Sequence, residues 1–255
     1  MHERSSTNTT FHPLLIILGI AISLGIAMPL ALIQPDPLTA QQLIKKKKIV
    51  PPPPPPPTKG FPGNRTVSAS MSGNCDLNLV ALAPEFGANN SAQTSERSIW
   101  GQTTVERPTF WFFVPATPVS TSLEFSLQNQ QGEDIYRAPI PTPQQLGVIG
   151  VRIPTDKASL QLDRDYHWTL KAKVPCGTSA ANRVYVDGWV KRVSLPSASA
   201  KSDTFAQKGI WYDAVTSLAQ QRLQKPNDLQ LQQDWSELLE SANLENTIAK
   251  QPILK

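Results

Sequence analysis

Length, composition and charge limit what this 255-residue chain can be. Two large domains do not fit once about 65 residues are assigned to an N-terminal leader and linker. The first 65 residues carry seven basic and two acidic side chains, so the net charge of +4 leaves −1 for the remainder. A folded part this close to neutrality lacks the basic face of a nucleic-acid binder, so we expect no nucleic-acid partner.

The first 72 residues predict a leader followed by a linker. Residues 14–33 are almost continuously apolar, which suits either the core of a secretory signal or a segment that spans a bilayer. Four lysines at 45–48 and seven prolines at 51–57 predict a stiff, solvated spacer. We therefore expect a signal peptide or membrane anchor over residues 1–44 and a basic, proline-rich linker over residues 45–72.

The location of the folded part depends on two opposing signals. The four lysines after the apolar segment favour a cytoplasmic location, because positive residues prefer that side of a membrane. The only two cysteines, Cys75 and Cys176, favour an oxidising compartment, since a disulfide between them would close a loop of about 100 residues. Two unrelated thiols are the alternative. We predict the disulfide and place the folded part in the periplasm or cell envelope.

Residues 73–197 have the pattern of a β-sandwich domain. Residues 121–127 alternate between apolar and polar side chains, and Gly132 then supplies a hairpin turn. Residues 109–114 lack polar alternation, which predicts a strand covered on both faces. Seven or eight such strands are expected, in an immunoglobulin-like antiparallel β-sandwich.

Two residues in the later strands carry more specific predictions. Tyr166 opens a strand four residues after Leu162, a spacing that suggests the tyrosine corner of immunoglobulin-like sandwiches. Gly188 lies inside the last predicted strand and indicates either a bulge or the close approach of another backbone.

Residues 198–255 change to a helical period and predict an appendage of two or three helices. A short helix capped by Ser202 or Asp203 should end at Gly209, and Asn243 stands where a left-handed cap would close the last helix. The segment resembles about one tetratricopeptide unit, which is too little for a solenoid. We expect Trp211 and Trp235 to pack this hairpin onto the sandwich or between its own helices.

The sequence contains no signature of an enzyme. GxSxG, a glycine-rich phosphate loop and HExxH are all missing, and His167 is the only histidine beyond the leader. Asp163 with Asp165, and Glu133 with Asp134, fall in predicted turns, where acidic residues are ordinarily solvated. We assign no catalytic residue, metal ligand or cofactor, and expect His167 to have a cross-strand or surface role.

Aromatic side chains are the candidates for ligand contact, because binding modules for sugars and peptides use exposed Trp and Tyr. Trp100 lies between Ile99 and Gly101 in a loop-like stretch and is expected to be exposed. Trp111 is expected in the core, and Trp189 fits either position. Trp100 and Trp189 are therefore the predicted ligand contacts.

Four segments resemble a known family. They are residues 106–115, 185–192, 209–214 and 234–239, and they are similar to the cyanobacterial domain-of-unknown-function family numbered 928. The resemblance covers about residues 73–244. It implies an exported protein with an amino-terminal signal before a β-rich region, and it implies no reaction, cofactor or site residue.

We expect an extracytoplasmic, non-catalytic interaction module, held at or exported across the membrane through its N-terminal apolar segment. Its partner would be a protein or an envelope polymer. Two alternatives stay open: a hydrolase of an envelope polymer that uses acidic residues distant in sequence, and a structural part of an envelope complex that docks through its helical tail.

Overall fold

A computed structural model describes residues 63–68, 77–87, 97–117, 120–176, 179–194, 205–206 and 208–255 of the chain. The apolar segment, the lysine cluster, the proline run, Cys75, Ser202 and Asp203 lie outside these residues, and of Cys176 only the backbone is described. No helix in the described ranges is long and apolar enough to cross a membrane.

Within the described residues, ten strands form two sheets and three helices follow them. The strands are β1 (Thr66–Ser68), β2 (Asn78–Ala81), β3 (Glu85–Phe86), β4 (Ser98–Thr103), β5 (Thr109–Val114), β6 (Ser122–Gln128), β7 (Asp134–Ile140), β8 (Gly147–Arg152), β9 (Asp165–Cys176) and β10 (Ser179–Arg192). The helices are α1 (Trp211–Gln224), α2 (Leu229–Ser241) and α3 (Asn246–Ala249). The sheet orders are β1-β2-β5-β8 and β3-β4-β10-β9-β6-β7.

The strand order confirms the immunoglobulin-like sandwich. Strands β2, β5 and β8 take the places of A, B and E in one sheet, and β6, β9 and β10 take those of C, F and G in the other. One pairing differs from the antiparallel prediction, because β4 runs parallel to β10. The chain moves from the four-stranded to the six-stranded sheet between β2 and β3, which brings β4 alongside the last strand in the same direction.

Aromatic rings from both sheets meet in the core. The Phe110 and Phe125 ring centroids lie 5.0 Å apart, and those of Phe112 and Trp168 lie 5.6 Å apart. The alternation predicted for residues 121–127 is confirmed on the inner face, where Leu123, Phe125 and Leu127 are buried, and Gly132 turns the β6–β7 hairpin with φ of 82°. Large side chains at alternating positions therefore supply the inner face.

The tyrosine corner is confirmed. The Tyr166 hydroxyl accepts a hydrogen bond of 3.0 Å from the Gln161 backbone N–H, five residues upstream in the loop before β9. Because this bond fixes the loop to the second residue of β9, it sets the entry of the chain into the six-stranded sheet.

The helical segment shares its core with the sandwich. Trp111 points away from the inter-sheet core and its Nε1 donates to Thr216 Oγ1 in α1 at 3.0 Å, so the part of α1 around Thr216 lies against the outer face of the four-stranded sheet. This confirms that residues 109–114 are covered on both faces. Trp211 Nε1 donates to the Leu82 carbonyl at 2.8 Å, which confirms that Trp211 packs on the sandwich. Trp235 is buried beneath Arg222 of the neighbouring helix.

The ends of the helices follow local sequence signals. Asp228 caps α2 by accepting from the N–H groups of Gln230 and Leu231, and Asn243 adopts the predicted left-handed conformation with φ of 55°. Gly209 ends the short helical turn before α1 with φ of 70°. Leu229, the first residue of α2, is 78 % exposed.

The prediction for Gly188 is wrong in its detail. This residue keeps regular register with Trp168, and the register shift in β10 lies between Ser179 and Asn182. A Cβ atom at Gly188 would stand 2.6 Å from side-chain atoms of Ile99 and Trp168, so neighbouring side chains, not a backbone, require the glycine.

Candidate functional site

The outer face of the six-stranded sheet gathers the polar and aromatic residues that sequence analysis considered singly. Alternate residues of a strand point to the same face, so Tyr185, Asp187 and Trp189 of β10 share this surface. Cross-strand register places Trp189 between His167 of β9 and Trp100 of β4. The two predicted ligand contacts are therefore neighbours, although 89 positions separate them in the sequence.

His167 and Trp189 form the centre of this surface. Their ring centroids lie 4.8 Å apart with a tilt of 31°, and both side chains are half-buried. His167 Nε2 lies 2.8 Å from Asp187 Oδ2. Because an ionised carboxylate only accepts, Nε2 carries the proton that joins the two groups, and the imidazole orientation is fixed.

Asp187 is itself held by the start of the described chain. Its Oδ1 accepts from the Asn64 backbone N–H at 2.9 Å and from Asn64 Nδ2 at 3.2 Å, and its own backbone N–H donates to the Asn64 carbonyl at 3.0 Å. The carboxylate is almost buried and fully engaged. Asn64, Asp187, His167 and Trp189 thus form one ordered unit, which we call the histidine–tryptophan platform.

Tyr185 extends the platform along β10. Its side chain is 46 % exposed and lies on the same face, four positions before Trp189. Thr169 and Lys171 of β9 stand opposite Asp187 and Tyr185 in the register. The face therefore offers two aromatic rings beside the exposed Lys171 ammonium group.

Trp100 does not contribute an exposed ring, and the expectation that it would is wrong. The side chain is only 2 % exposed, and its Nε1 donates to Asp165 Oδ1 at 3.4 Å. The flanking residues that suggested a loop belong to β4, where Trp100 packs beside its neighbours on the sheet. Trp100 is therefore a buried neighbour of Trp189 in the register and offers no ligand contact surface.

The two nearly buried carboxylates of this face, those of Asp165 and Asp187, do not form a close pair. Asp165 and Asp187 are both nearly buried, but four register positions separate them, which is about 13 Å along the strands. Paired carboxylates in glycosidases lie about 5 to 9.5 Å apart. Asp165 is held instead by Trp100 and by Gln130 Nε2 at 3.4 Å.

Glu133 and Asp134, one of the acidic pairs considered from sequence, have separate partners. Glu133 accepts from Asn129 Nδ2 at 2.7 Å, whereas Asp134 binds Arg137 and Gln128. The hydrogen bond from Arg137 lowers the pKa of Asp134 below its ordinary value. Both side chains therefore stabilise the β6–β7 hairpin. Among the described residues no group of three or more His, Cys, Asp or Glu side chains is placed to hold a metal ion.

Sequence analysis missed most of the platform. Period-two alternation could have placed Tyr185, Asp187 and Trp189 on one face, because it depends only on spacing within a strand. The contact of His167 with Asp187 depends on the β9–β10 register, and the contact of Asn64 with Asp187 joins residues 123 positions apart. Neither contact has a local signal.

A comparison with protein families matches the part of the chain that forms these sheets and helices. A family model described as Domain of Unknown Function (DUF928) matches residues 63–253. The chain belongs to this family. The DUF928 domain begins at the residue before Asn64 and ends at Ile253, which bridges to Val148 of β8, so it includes both sheets and all three helices described above. No curated protein matches the chain.

Proposed function

We propose that the DUF928 domain is a non-catalytic interaction module that acts outside the cytoplasm and binds its partner on the outer face of the six-stranded sheet. The observation that carries this proposal is the histidine–tryptophan platform beside the exposed Tyr185. Partly exposed aromatic rings next to engaged polar groups are typical of contact surfaces.

The rigidity of the platform supports binding over an incidental surface cluster. Trp189 and Tyr185 stand on β10, which is paired on one side with β9 along most of its length. Rings on a regular strand lose little conformational entropy when a partner covers them, because few torsions remain to be fixed. Asp187 and Asn64 hold His167 in place before any partner arrives.

The proposed location outside the cytoplasm has its support in the sequence. The apolar residues 14–33 and the prolines at 51–57 suit a domain exported or held at the membrane and projected from it. The proposed Cys75–Cys176 disulfide belongs to the same proposal. Alkylation of the full chain taken directly from cells should modify no thiol without reductant and two with it, and two reactive thiols without reductant would contradict the proposed disulfide.

Photo-crosslinking in intact cells tests the binding face. Tyr185 is replaced by a photoreactive phenylalanine analogue in the full chain, and Leu146, which is 41 % exposed and precedes β8 in the other sheet, receives the same analogue as a matched control. We expect adducts from position 185 and none from position 146. Trp189→Ala should abolish the adducts at position 185.

Three results would contradict this proposal. They are a lack of adducts at position 185, equal adducts at both positions, and adducts at position 185 that persist in the Trp189→Ala protein. Circular dichroism of each variant controls for loss of the fold. Digestion of the adducts with proteases or with glycosidases distinguishes a protein partner from an envelope polymer.

A further inference from the structure

We propose that the cavity between α1 and the outer face of the four-stranded sheet binds an anionic, hydroxyl-bearing molecule of monosaccharide size, such as a sugar acid or a sugar phosphate. The cavity measures about 440 Å³. Its walls are the β4–β5 loop, the ends of β5 and β8, and one side of α1. It belongs to a different sheet from the histidine–tryptophan platform and goes beyond the function proposed above.

Two arginines give the cavity its preference for an anion. Arg152 lines it from the end of β8, opposite Thr109 in the register, and no ion-pair partner for it occurs among the described residues. Arg107 lines it from the β4–β5 loop. Guanidinium groups present several N–H donors in a planar fork, which matches carboxylate and phosphate oxygens.

The donors of Arg107 are incompletely used. Nη1 contacts its neighbour Glu106 at 3.3 Å and Nη2 reaches the Lys157 carbonyl at 3.4 Å, both at the long end of hydrogen bonding. Its Nε is buried and has no acceptor in the part of the chain that the structure describes. A buried donor without an acceptor is costly, so an incoming anion gains more there than at a solvated arginine.

The two carboxylates that line the cavity are already engaged. Asp213 accepts hydrogen bonds from the Thr103 hydroxyl and from the backbone N–H and hydroxyl of Thr104. Glu106 pairs with Arg107 and also with Arg192 at 3.5 Å. Arg107 and Arg152 are the cations of the lining, while Arg192, which lies outside it, shares Glu106 with Arg107. Neutral groups bind Asp213, so Arg152 keeps its donors for a ligand.

Hydroxyl and amide groups line the remaining walls. Thr109, Thr155, Thr216, Ser217 and Gln220 all border the cavity. Thr216 Oγ1 already accepts from Trp111 Nε1. Such groups both donate to and accept from sugar hydroxyls.

The size and rim of the cavity indicate a monosaccharide unit. Its volume lies near the lower end of the roughly 300 to 1,000 Å³ typical of small-molecule pockets. Val105, which is half-exposed, and Phe205 border it and can cover the C–H face of a sugar ring. The combination of charge, hydroxyls and a small apolar rim distinguishes this cavity from a simple anion site.

Calorimetric titration of the full chain in detergent tests the proposal. The probes are glucuronate, glucose 6-phosphate, glucose and inorganic phosphate. We expect glucuronate, glucose 6-phosphate or both to bind, neutral glucose to show no binding, and inorganic phosphate to bind at least about tenfold more weakly than the better sugar anion, which corresponds to about 1.4 kcal/mol. The better of the two anions identifies the preferred charged group.

Matched variants localise the binding. Arg152→Gln, at an exposed side chain, should weaken the sugar anion about tenfold or more, whereas Arg183→Gln, an exposed arginine of β10 in the other sheet, should leave it unchanged. Gln220→Ala should weaken the sugar anions and leave phosphate unaffected. The proposal is overturned if neither sugar anion binds, if glucose binds as well, if phosphate binds as tightly as the better sugar anion, or if Arg152→Gln binds like the wild type.

Discussion

At the scale of single residues, Tyr212 shows how the helical segment and the sandwich depend on each other. Its ring contacts Phe110 of β5 with centroids 5.4 Å apart. Its hydroxyl accepts from Trp168 Nε1 at 2.7 Å and donates to the Trp189 carbonyl at 3.2 Å. One side chain from α1 therefore joins β5, β9 and β10, and it supports the backbone of the residue at the centre of the histidine–tryptophan platform.

Removal of the Tyr212 hydroxyl should destabilise the protein. Tyr212→Phe keeps the ring but leaves the Trp168 N–H and the Trp189 carbonyl buried without this partner, which costs about 1 to 3 kcal/mol. Tyr185→Phe is the matched control, because its hydroxyl is on an exposed side chain, and it should change the free energy of unfolding by less than about 0.5 kcal/mol. Urea unfolding measures both, and equal losses would contradict the role of Tyr212.

The same hydroxyl predicts a loss of stability at alkaline pH. Burial raises the pKa of Tyr212 well above its ordinary value of 10.0. The unfolded chain therefore releases this proton first, and the free energy of unfolding falls as the pH rises above about 10, by up to about 1.4 kcal/mol per pH unit. Below about pH 10 this contribution is fully present.

Urea unfolding between about pH 9 and pH 11 measures the difference between the wild type and Tyr212→Phe. We expect the advantage of the wild type to shrink as the pH rises, because the variant lacks this proton. Tyr185→Phe should follow the wild type throughout. An advantage that stays constant over this range would contradict the buried, neutral hydroxyl.

At the scale of elements, Arg65 ties the start of the domain to its C-terminal helices. Nη1 donates to the Ala242 carbonyl at 2.7 Å and Nη2 donates to the Asn243 carbonyl at 3.0 Å, just after α2 ends. Nη2 also pairs with Glu85 of β3 at 3.2 Å, with both side chains about nine-tenths buried. Burial lowers the pKa of Arg65, and the charge of Glu85 opposes that shift.

Arg65→Ala should cost about 2 to 4 kcal/mol, because it leaves a buried carboxylate and two helix-terminal carbonyls without their partner. Arg97 offers a matched control, since it pairs with the same Glu85 at 3.4 Å but is 66 % exposed. Arg97→Ala should cost less than about 1 kcal/mol. Thermal or urea unfolding separates the two, and similar losses would show that Arg65 acts only as a surface ion pair.

At the scale of the whole molecule, the sequence predicted the sandwich well, since strand identity depends on local alternation and turn residues. Residues 109–114 and 121–127, the Gly132 turn and the Tyr166 corner all have signals within a few residues. The parallel β4–β10 pair, the burial of Trp100 and the platform depend on register between distant strands. No local pattern specifies that register, so these features could not be predicted from the sequence.

Local sequence patterns also could not show how the helices pack against the sandwich. A helical period shows that α1 and α2 form, but it does not show that Tyr212 enters the core between the sheets. From the sequence alone, the helical tail could be a separate element that docks onto an envelope complex. The shared core and the extent of the family match, residues 63–253, instead favour one cooperative unit.

Truncated chains test whether the sandwich and the helices unfold as one cooperative unit. A chain that ends before Phe205 loses Trp211 and Tyr212 from the core, so we expect it to lack a cooperative urea transition and to bind a hydrophobic dye. A chain without residues 1–62 keeps every described contact and should unfold in a single transition. A shortened sandwich that unfolds cooperatively would show that the helices are dispensable.

The most direct test of the binding face is hydroxyl-radical footprinting of the full chain, in native envelopes and as purified protein. A bound partner should cover Tyr185 and Trp189, so we expect their oxidation to fall several-fold in the envelopes. Leu146 and Leu162, which are 41 % and 49 % exposed, should react equally in both samples. Equal oxidation of Tyr185 and Trp189 in the two samples would contradict the proposed binding face.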